Sequence, residues 1–302
     1  MDFIRIADNP WGEQVLIGLG WGVAWLVVVL GATFILGHTV FAKKKDEGRE
    51  EPKYDPAIVA AVPDHVTRHG KSARYSHWTL AVATFALLIT AFVPMLGLQF
   101  PWVTIHWLSG IVFTAYVVYH TVDTLARTSW REMWISIPDI REAVARVGDF
   151  FARTEDPSKR PGKWGMENKL FHHLTALAGL GVAVTGVLMM GRVDTWFWAS
   201  DPYRWNISDA TWGVIFVIHG ITSVAFIGLL MAHIYFAVRP DKSWITLSIF
   251  RGWITKEEYL GHHNPERWPV APGAGAEGHG RVTEGQAVGA GTGSAPMDSP
   301  RE

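Results

Sequence analysis

The chain contains no cysteine in 302 residues. This excludes structural disulfides, thiolate-held iron-sulfur clusters and haem attached covalently through a CxxCH motif, and it leaves histidine as the side chain suited to ligate iron. Charge is scarce too, at 18% of residues, and nearly balanced at a net −1. No nucleic-acid partner is expected of such a chain. What it has instead is hydrophobic sequence, 49% of all residues, much of it in long runs.

Five runs reach spanning length, roughly residues 15–36, 78–98, 103–125, 170–190 and 212–238, against the ~20 apolar residues that the hydrocarbon core of a bilayer requires. The modest mean hydropathy of +0.13 reflects dilution of these runs by polar loops and tail. The expected fold is therefore an all-α integral membrane protein with several crossings. The first run makes a poor secretory signal. Asp2, Asp8 and Glu13 precede it and Lys43, Lys44 and Lys45 follow it, the reverse of a basic n-region, so it reads as a retained anchor. Residues 41–75 carry eight Lys or Arg and residues 126–169 carry nine, whereas 99–102 carry none and 191–211 only Arg192 and Arg204. The basic connections belong in the cytoplasm, which puts the N-terminus outside and the C-terminus inside.

Set into these runs are His77, His106, His219 and His233. An imidazole in hydrocarbon is costly unless it is paired or coordinated, and so marks a functional site. His219 and His233 share the last run at a separation of 14 residues, which on an α-helix is about 21 Å and about 40° short of one face. One helix can thus serve two stacked sites. Two neutral imidazoles fill both axial positions of a low-spin, electron-transferring haem. Depth assigns the partners: His77 with His233 at the inner level, His106 with His219 at the outer. His120 is the rival ligand, since it follows His106 by the same 14 residues and can replace His77 opposite His233; its plainer reading is a hydrogen-bonded residue near Asp123. Arg74 and Arg127, at the inner boundary, are candidates to neutralise haem propionates, with positive-inside anchoring as the alternative.

Other features fit around these sites. Gly110, Gly179, Gly181, Gly186 and Gly220 would let a flat macrocycle or another helix approach closely. Trp196, Trp198, Tyr203, Trp205 and Trp212 read as interfacial anchors. In the loop 129–164, Ile140, Val144, Val147 and Phe151 recur at helical spacing and predict an amphipathic helix on the membrane surface. His172 and His173 open the fourth run as interfacial or quinone-adjacent residues rather than axial ligands, since consecutive positions on a helix point about 100° apart. Beyond residue 268 the composition falls to Gly, Ala, Ser and Pro, which predicts a disordered tail.

At Arg74-Tyr75-Ser76-His77-Trp78-Thr79 the chain resembles the cytochrome b (gamma) subunit of membrane-bound formate dehydrogenases, a family related to the cytochromes b of nickel-iron hydrogenases and thiosulfate reductases. The resemblance continues through Ile105-His106, Ile218-His219-Gly220, Ala232-His233-Ile234-Tyr235, Gly252-Trp253-Ile254-Thr255 and His262-His263-Asn264-Pro265-Glu266-Arg267-Trp268, and covers roughly residues 70–268. It implies a four-helix dihaem bundle in the bacterial inner membrane, with two haem b as cofactors. It implies also electrons arriving from a periplasmic iron-sulfur subunit, a catalytic subunit bearing molybdenum or tungsten, and ubiquinone or menaquinone reduced at the cytoplasmic side. Higher oligomers of that complex are compatible with it. The family's quinone segment falls here on Gly162-Lys163-Trp164-Gly165-Met166-Glu167-Asn168-Lys169, where formate dehydrogenase subunits usually show Asn-Ala-Gly-Gln. The candidate quinone residues are accordingly Gly165, Glu167, Asn168, Lys169 and His172.

The expected organisation is an N-terminal transmembrane anchor (1–42), a cytoplasmic linker (43–75), a dihaem cytochrome b domain (76–268) and a tail (269–302). The four-helix haem-binding bundle thus carries one extra N-terminal transmembrane helix. Three function classes follow: an electron-transfer subunit delivering electrons to quinone, with substrate catalysis on another subunit; a quinol-oxidising cytochrome b of a hydrogenase, thiosulfate reductase or similar complex; and a non-redox membrane anchor.

Overall fold

The computed structural model describes residues 3–41, 54–127, 130–152, 160–201 and 203–270. The expected tail lies outside the described residues from 271 onward, as do residues 43–53 of the linker. In chain order the elements are β1 (Ile4–Asp8), β2 (Gln14–Leu19), α1 (Trp21–Phe41), α2 (Pro56–Ala61), β3 (His65–Thr67), α3 (Lys71–Phe92), α4 (Trp102–Arg127), α5 (Ile137–Ala152), α6 (Met166–Met190), α7 (Asp209–Val238), α8 (Ser243–Arg251), β4 (Trp253–Thr255) and α9 (Lys256–His262). Helices α1, α3, α4, α6 and α7 are long and apolar enough to cross a membrane. Their outward faces, such as Leu26, Val29, Leu30 and Leu36 on α1 or Leu177, Leu180 and Val184 on α6, are bare of protein, as lipid-facing surfaces must be.

The bundle consists of two helical hairpins. α3 packs along α4, α6 packs along α7, and α4 meets α6. α3 closes in a 3-10 turn over Val93–Leu96 that contains Pro94 and ends on Gly97 at φ 87°, a left-handed conformation that glycine adopts without penalty. α7 starts at Ser208, whose hydroxyl accepts from the Thr211 amide at 3.3 Å, an N-cap that satisfies one otherwise orphaned donor. Midway through the membrane the hairpins interlock on Ala83, Phe113, Ala178, Ala183 and Phe226. The Phe113 and Phe226 rings stand edge to face at 6.0 Å.

Two expectations need correction. The first apolar run was expected to form a helix from residue 15, but Gln14–Leu19 is a β-strand, paired antiparallel with Ile4–Asp8, and the helix begins at Trp21. The reason is local. Asn9 Oδ1 accepts from the Trp11 and Glu13 amides at 3.0 and 2.9 Å, and Gly12 takes φ 80°, so a side-chain-stabilised turn folds the chain back before the helix can start. Secondly, residues 54–70, read as linker, are folded: β3 pairs with β4, and Val62, Val66, Ile254 and Tyr259 form a buried cluster. With α8 and α9 they make a polar cap on the end of the bundle that carries the basic connections.

The extra helix α1 runs parallel to α7. Gly31 meets the Met231 side chain and Gly228 meets Val27, while Tyr235 Oη lies 2.8 Å from His38 Nδ1. β2 continues this contact toward the other end of α7, hereafter the hairpin end. The amphipathic helix appears as α5, with Ile140, Val144 and Val147 exposed and Asp139 joined to Lys169 of α6 at 2.9 Å. Trp212, read as an interfacial anchor, is instead 2% exposed and stacked on Phe216 at 5.8 Å, because the β1–β2 hairpin covers the start of α7. A Cβ on Gly213 would stand 2.6 Å from the Leu16 carbonyl oxygen and 2.7 Å from Leu16 Cβ. Gly213→Leu should therefore lift the hairpin at a cost of about 1–3 kcal/mol, measured as faster proteolysis within residues 3–20 while the rest of the chain stays protected.

Candidate functional site

The four intramembrane histidines lie in two couples. His106 of α4 faces His219 of α7 with ring centroids 6.4 Å apart, and His77 of α3 faces His233 of α7 at 6.1 Å. Each pair takes one ring from the α3–α4 hairpin and one from α7. Phe226, seven residues from both His219 and His233, lies between the two levels and separates them with its Phe113 contact.

At the hairpin end the pair opens on a cavity of about 420 Å³. Leu87, Leu88, Phe113, Val182 and Phe226 line it, and the imidazoles of His106 and His219 are among its few polar groups. Gly186 belongs to this wall: a Cβ there would meet His219 Cε1 at 3.7 Å, so its missing side chain leaves the space beside the ring open. Gly110 lines the same cavity. Gly181 and Gly220 instead admit Thr222 and Leu19, so the glycines divide between cavity and packing.

Two threonines that sequence reasoning missed hold these rings. Thr90 Oγ1 is 2.8 Å from His106 Nδ1, and Thr185 Oγ1 is 2.8 Å from His219 Nδ1. A threonine in an apolar helix ordinarily bonds back to its own helix, so nothing in the sequence distinguishes these two. At the basic end, Phe171 stacks on His233 with centroids 5.1 Å apart and planes 16° apart. His77 Nδ1 is buried there without a hydrogen-bond partner among the described residues.

His120 does not face His233. Its ring stands 6.1 Å from that of His172, one turn from Asp123, whose carboxylate accepts from Ser72 Oγ at 3.1 Å. Of the other candidate quinone residues, Gly165 is the buried N-cap of α6, Glu167 and Asn168 are exposed, and Lys169 is committed to Asp139 and to the Trp134 carbonyl at 3.1 Å. Arg74 donates to the carbonyls of Ile249 and Phe250 at the end of α8, and so ties α3 to the cap. The Arg127 side chain lies outside the described residues.

These pairs suit a metal in a macrocycle. An imidazole nitrogen sits about 2 Å from a bound first-row metal, with the ring centroid about 1.1 Å behind it, so two axial rings on one ion have centroids about 6 Å apart. No group of three or more metal-ligating side chains converges among the described residues. Residues 68–252 match the model of the prokaryotic cytochrome b561 family. The chain belongs to that family. Members are membrane cytochromes that bind b haems in a four-helix bundle, and the match spans α3, α4, α6 and α7. The chain is also similar to the cytochrome b556 subunit of formate dehydrogenase from Haemophilus influenzae, at 24% identity over 217 residues, covering 67% of this chain and 82% of that subunit.

Next to the His77–His233 couple, the cap encloses a guanidinium. Arg68 is 4% exposed and donates to His263 Nε2 at 2.8 Å, while His263 Nδ1–H donates to the Gly162 carbonyl at 2.7 Å. The C-terminal His-His-Asn-Pro motif thereby clamps the loop that enters α6. Burial first, and then the charge of Arg68, hold both His263 and His69 down to about 3 from the ordinary 6.5. These rings are neutral in the folded chain and would take up protons near 6.5 once unfolded, so their contribution is whole above about pH 6.5 and is lost as the pH falls from there toward 3. Cap proteolysis should accelerate across that window. His263→Gln, which keeps both hydrogen bonds without a titrating ring, should shift the acceleration to lower pH.

Proposed function

We propose that the chain is the membrane cytochrome b subunit of a respiratory oxidoreductase of the formate dehydrogenase kind, with one b haem held by His106 and His219 and a second by His77 and His233. The observation that carries this reading is the pair of facing histidine couples on one helix, 14 residues apart, each at the spacing that two axial ligands require. When bound, a bis-histidine haem exchanges single electrons with no coordination position open to substrate. The chain's own contribution is to hold the two couples at fixed depths, to exclude water with Leu87, Phe113 and Phe226, and to bring polar groups to the basic end.

The surplus of Lys and Arg in residues 41–75 and 126–169 supports a cytoplasmic basic end and a periplasmic hairpin end. Electrons then enter at the His106–His219 level from an iron-sulfur subunit that receives them from a separate catalytic subunit, and leave to quinone beside the His77–His233 level. His172 and Asn168, with Glu167 at the aqueous margin, supply hydrogen bonds and protons to the quinone oxygens. Gly165 lets the ring approach the start of α6, and Lys169 serves by fixing α5 over that entrance. The resemblance to the Haemophilus influenzae formate dehydrogenase subunit supports formate as the electron source of the complex.

Pyridine haemochrome analysis of the purified chain should give two non-covalent b haems. His106→Ala with His219→Ala should remove only one of them, and His77→Ala the other. If His77→Ala retains both while His120→Ala loses one, His120 is the ligand.

In oriented proteoliposomes, quinone reduction by the whole complex should consume protons on the side bearing the C-terminus. Combining Glu167→Ala, Asn168→Ala and His172→Ala should lower the quinone reductase rate by roughly 100-fold and leave both haems reducible by the partner. A wild-type rate in that variant would move the quinone site elsewhere.

A further inference from the structure

We infer that Thr90 and Thr185 are positioning residues that fix the iron-binding tautomer of His106 and His219 and tune the electron affinity of the site at the hairpin end alone. The inference rests on the reading above that this couple holds a haem. Each hydroxyl has its role dictated by a second contact. Thr90 Oγ1 lies 2.7 Å from the Ala86 carbonyl oxygen, and Thr185 Oγ1 lies 2.5 Å from that of Gly181. A carbonyl only accepts, so the single hydroxyl proton points to it and the hydroxyl oxygen is left as an acceptor. The imidazole must then donate through Nδ1–H across the 2.8 Å contacts. A neutral imidazole with its proton on Nδ1 carries its lone pair on Nε2, the tautomer needed to bind metal through Nε2.

The arrangement occurs twice with the same logic. In the α3–α4 hairpin the first helix offers Thr90 to a histidine of the second, and in the α6–α7 hairpin the first helix offers Thr185 in the same way. Both threonines are deeply buried, at 1% and 5% exposure, where an unpaired hydroxyl is costly and water does not compete for the contact. The other couple lacks this support at one ring, since His77 Nδ1 has no hydrogen-bond partner among the described residues. An N–H that donates to a fixed acceptor makes the imidazole a stronger electron donor and favours the oxidised metal. The threonines therefore act on one of the two sites and leave the other unchanged.

The test is a redox titration of the purified full chain in lipid, following the absorption and low-spin EPR signal of each haem, in Thr90→Val, Thr185→Val and the corresponding serine variants. The haem at the hairpin end is identified by its absence from His106→Ala. In either valine variant its midpoint potential should rise by roughly 60 mV, the one-electron equivalent of a tenfold change in redox equilibrium. Its EPR g-values should move with the potential while the other haem stays at its wild-type values, and serine should restore both. Should valine expel that haem altogether, retention at wild-type potential in the serine variant supports the same conclusion. Unchanged potentials and spectra in both valine variants, equal shifts of both haems, or serine variants that behave like valine would overturn it. Two haems in the wild-type chain together with unaltered valine variants would refute this inference alone; fewer than two in the wild-type chain would refute the haem reading on which it rests.

Discussion

An imidazole placed in hydrocarbon has two nitrogens to satisfy and almost nothing there to satisfy them with. The architecture of the bundle answers that demand. Each of the four rings is brought opposite another at about the distance that one shared metal spans, and at the hairpin end the outward nitrogen of each ring is met by a threonine from the preceding helix of its hairpin. To keep two couples at two depths, α7 must be long and straight enough to carry both rings, and its neighbours must hold their register against it. The interlocked Phe113 and Phe226, midway between the levels, fix that register through the bundle interior. The additional helix α1 and the strand before it lie along the same α7, so the element that sets both depths is also the best supported in the molecule.

The two ends of the bundle differ in chemical character. At the hairpin end the couple looks into an apolar cavity with aromatic side chains near its rim: Trp107 packs on Trp196 and Phe197, and Trp198 and Trp205 donate to the last carbonyls of α6. At the basic end the couple adjoins polar and ionisable groups. His120 faces His172, Lys169 binds Asp139, and the cap holds Arg68 between the Trp164 and Trp244 rings. Electron transfer between buried metals needs rigidity and exclusion of water, whereas exchange of protons with a diffusible carrier needs hydrogen-bonding side chains near an aqueous edge. The hairpin end offers mainly apolar and aromatic surroundings, and the basic end offers hydrogen-bonding and charged side chains.

The cap joins segments distant in sequence at the basic end. β3 and β4 bring residues before the bundle and after it into one small sheet, and His263 then joins Arg68 to the Gly162 carbonyl. The loop into α6 is held by this contact on one side and by Lys169 with α5 on the other. α5 thus combines an exposed apolar face with an anchored first turn.

The sequence by itself determined the membrane crossings, the absence of thiolate chemistry, the amphipathic helix and the two histidine levels. These are properties of period and composition, which survive any rearrangement of neighbouring helices: 14 residues on an α-helix separate two rings by the same distance whatever packs around them. Depth paired His77 with His233, while the 14-residue spacing of His120 from His106 kept a rival partner for His233 open. In the tertiary structure the His77 ring stands opposite that of His233 and the His120 ring beside that of His172, a choice that period alone does not make, since rotation of one helix against another depends on all its contacts together. The same holds for Thr90 and Thr185, whose partners lie on other helices, for the Asn9 turn that converts the start of an apolar run into a strand, and for the folding of residues 54–70 onto a sheet edge nearly two hundred residues away. A hydrogen bond across helices has no period in the chain, and its physical cause, the saturation of a polar atom removed from water, exists only once the helices have met.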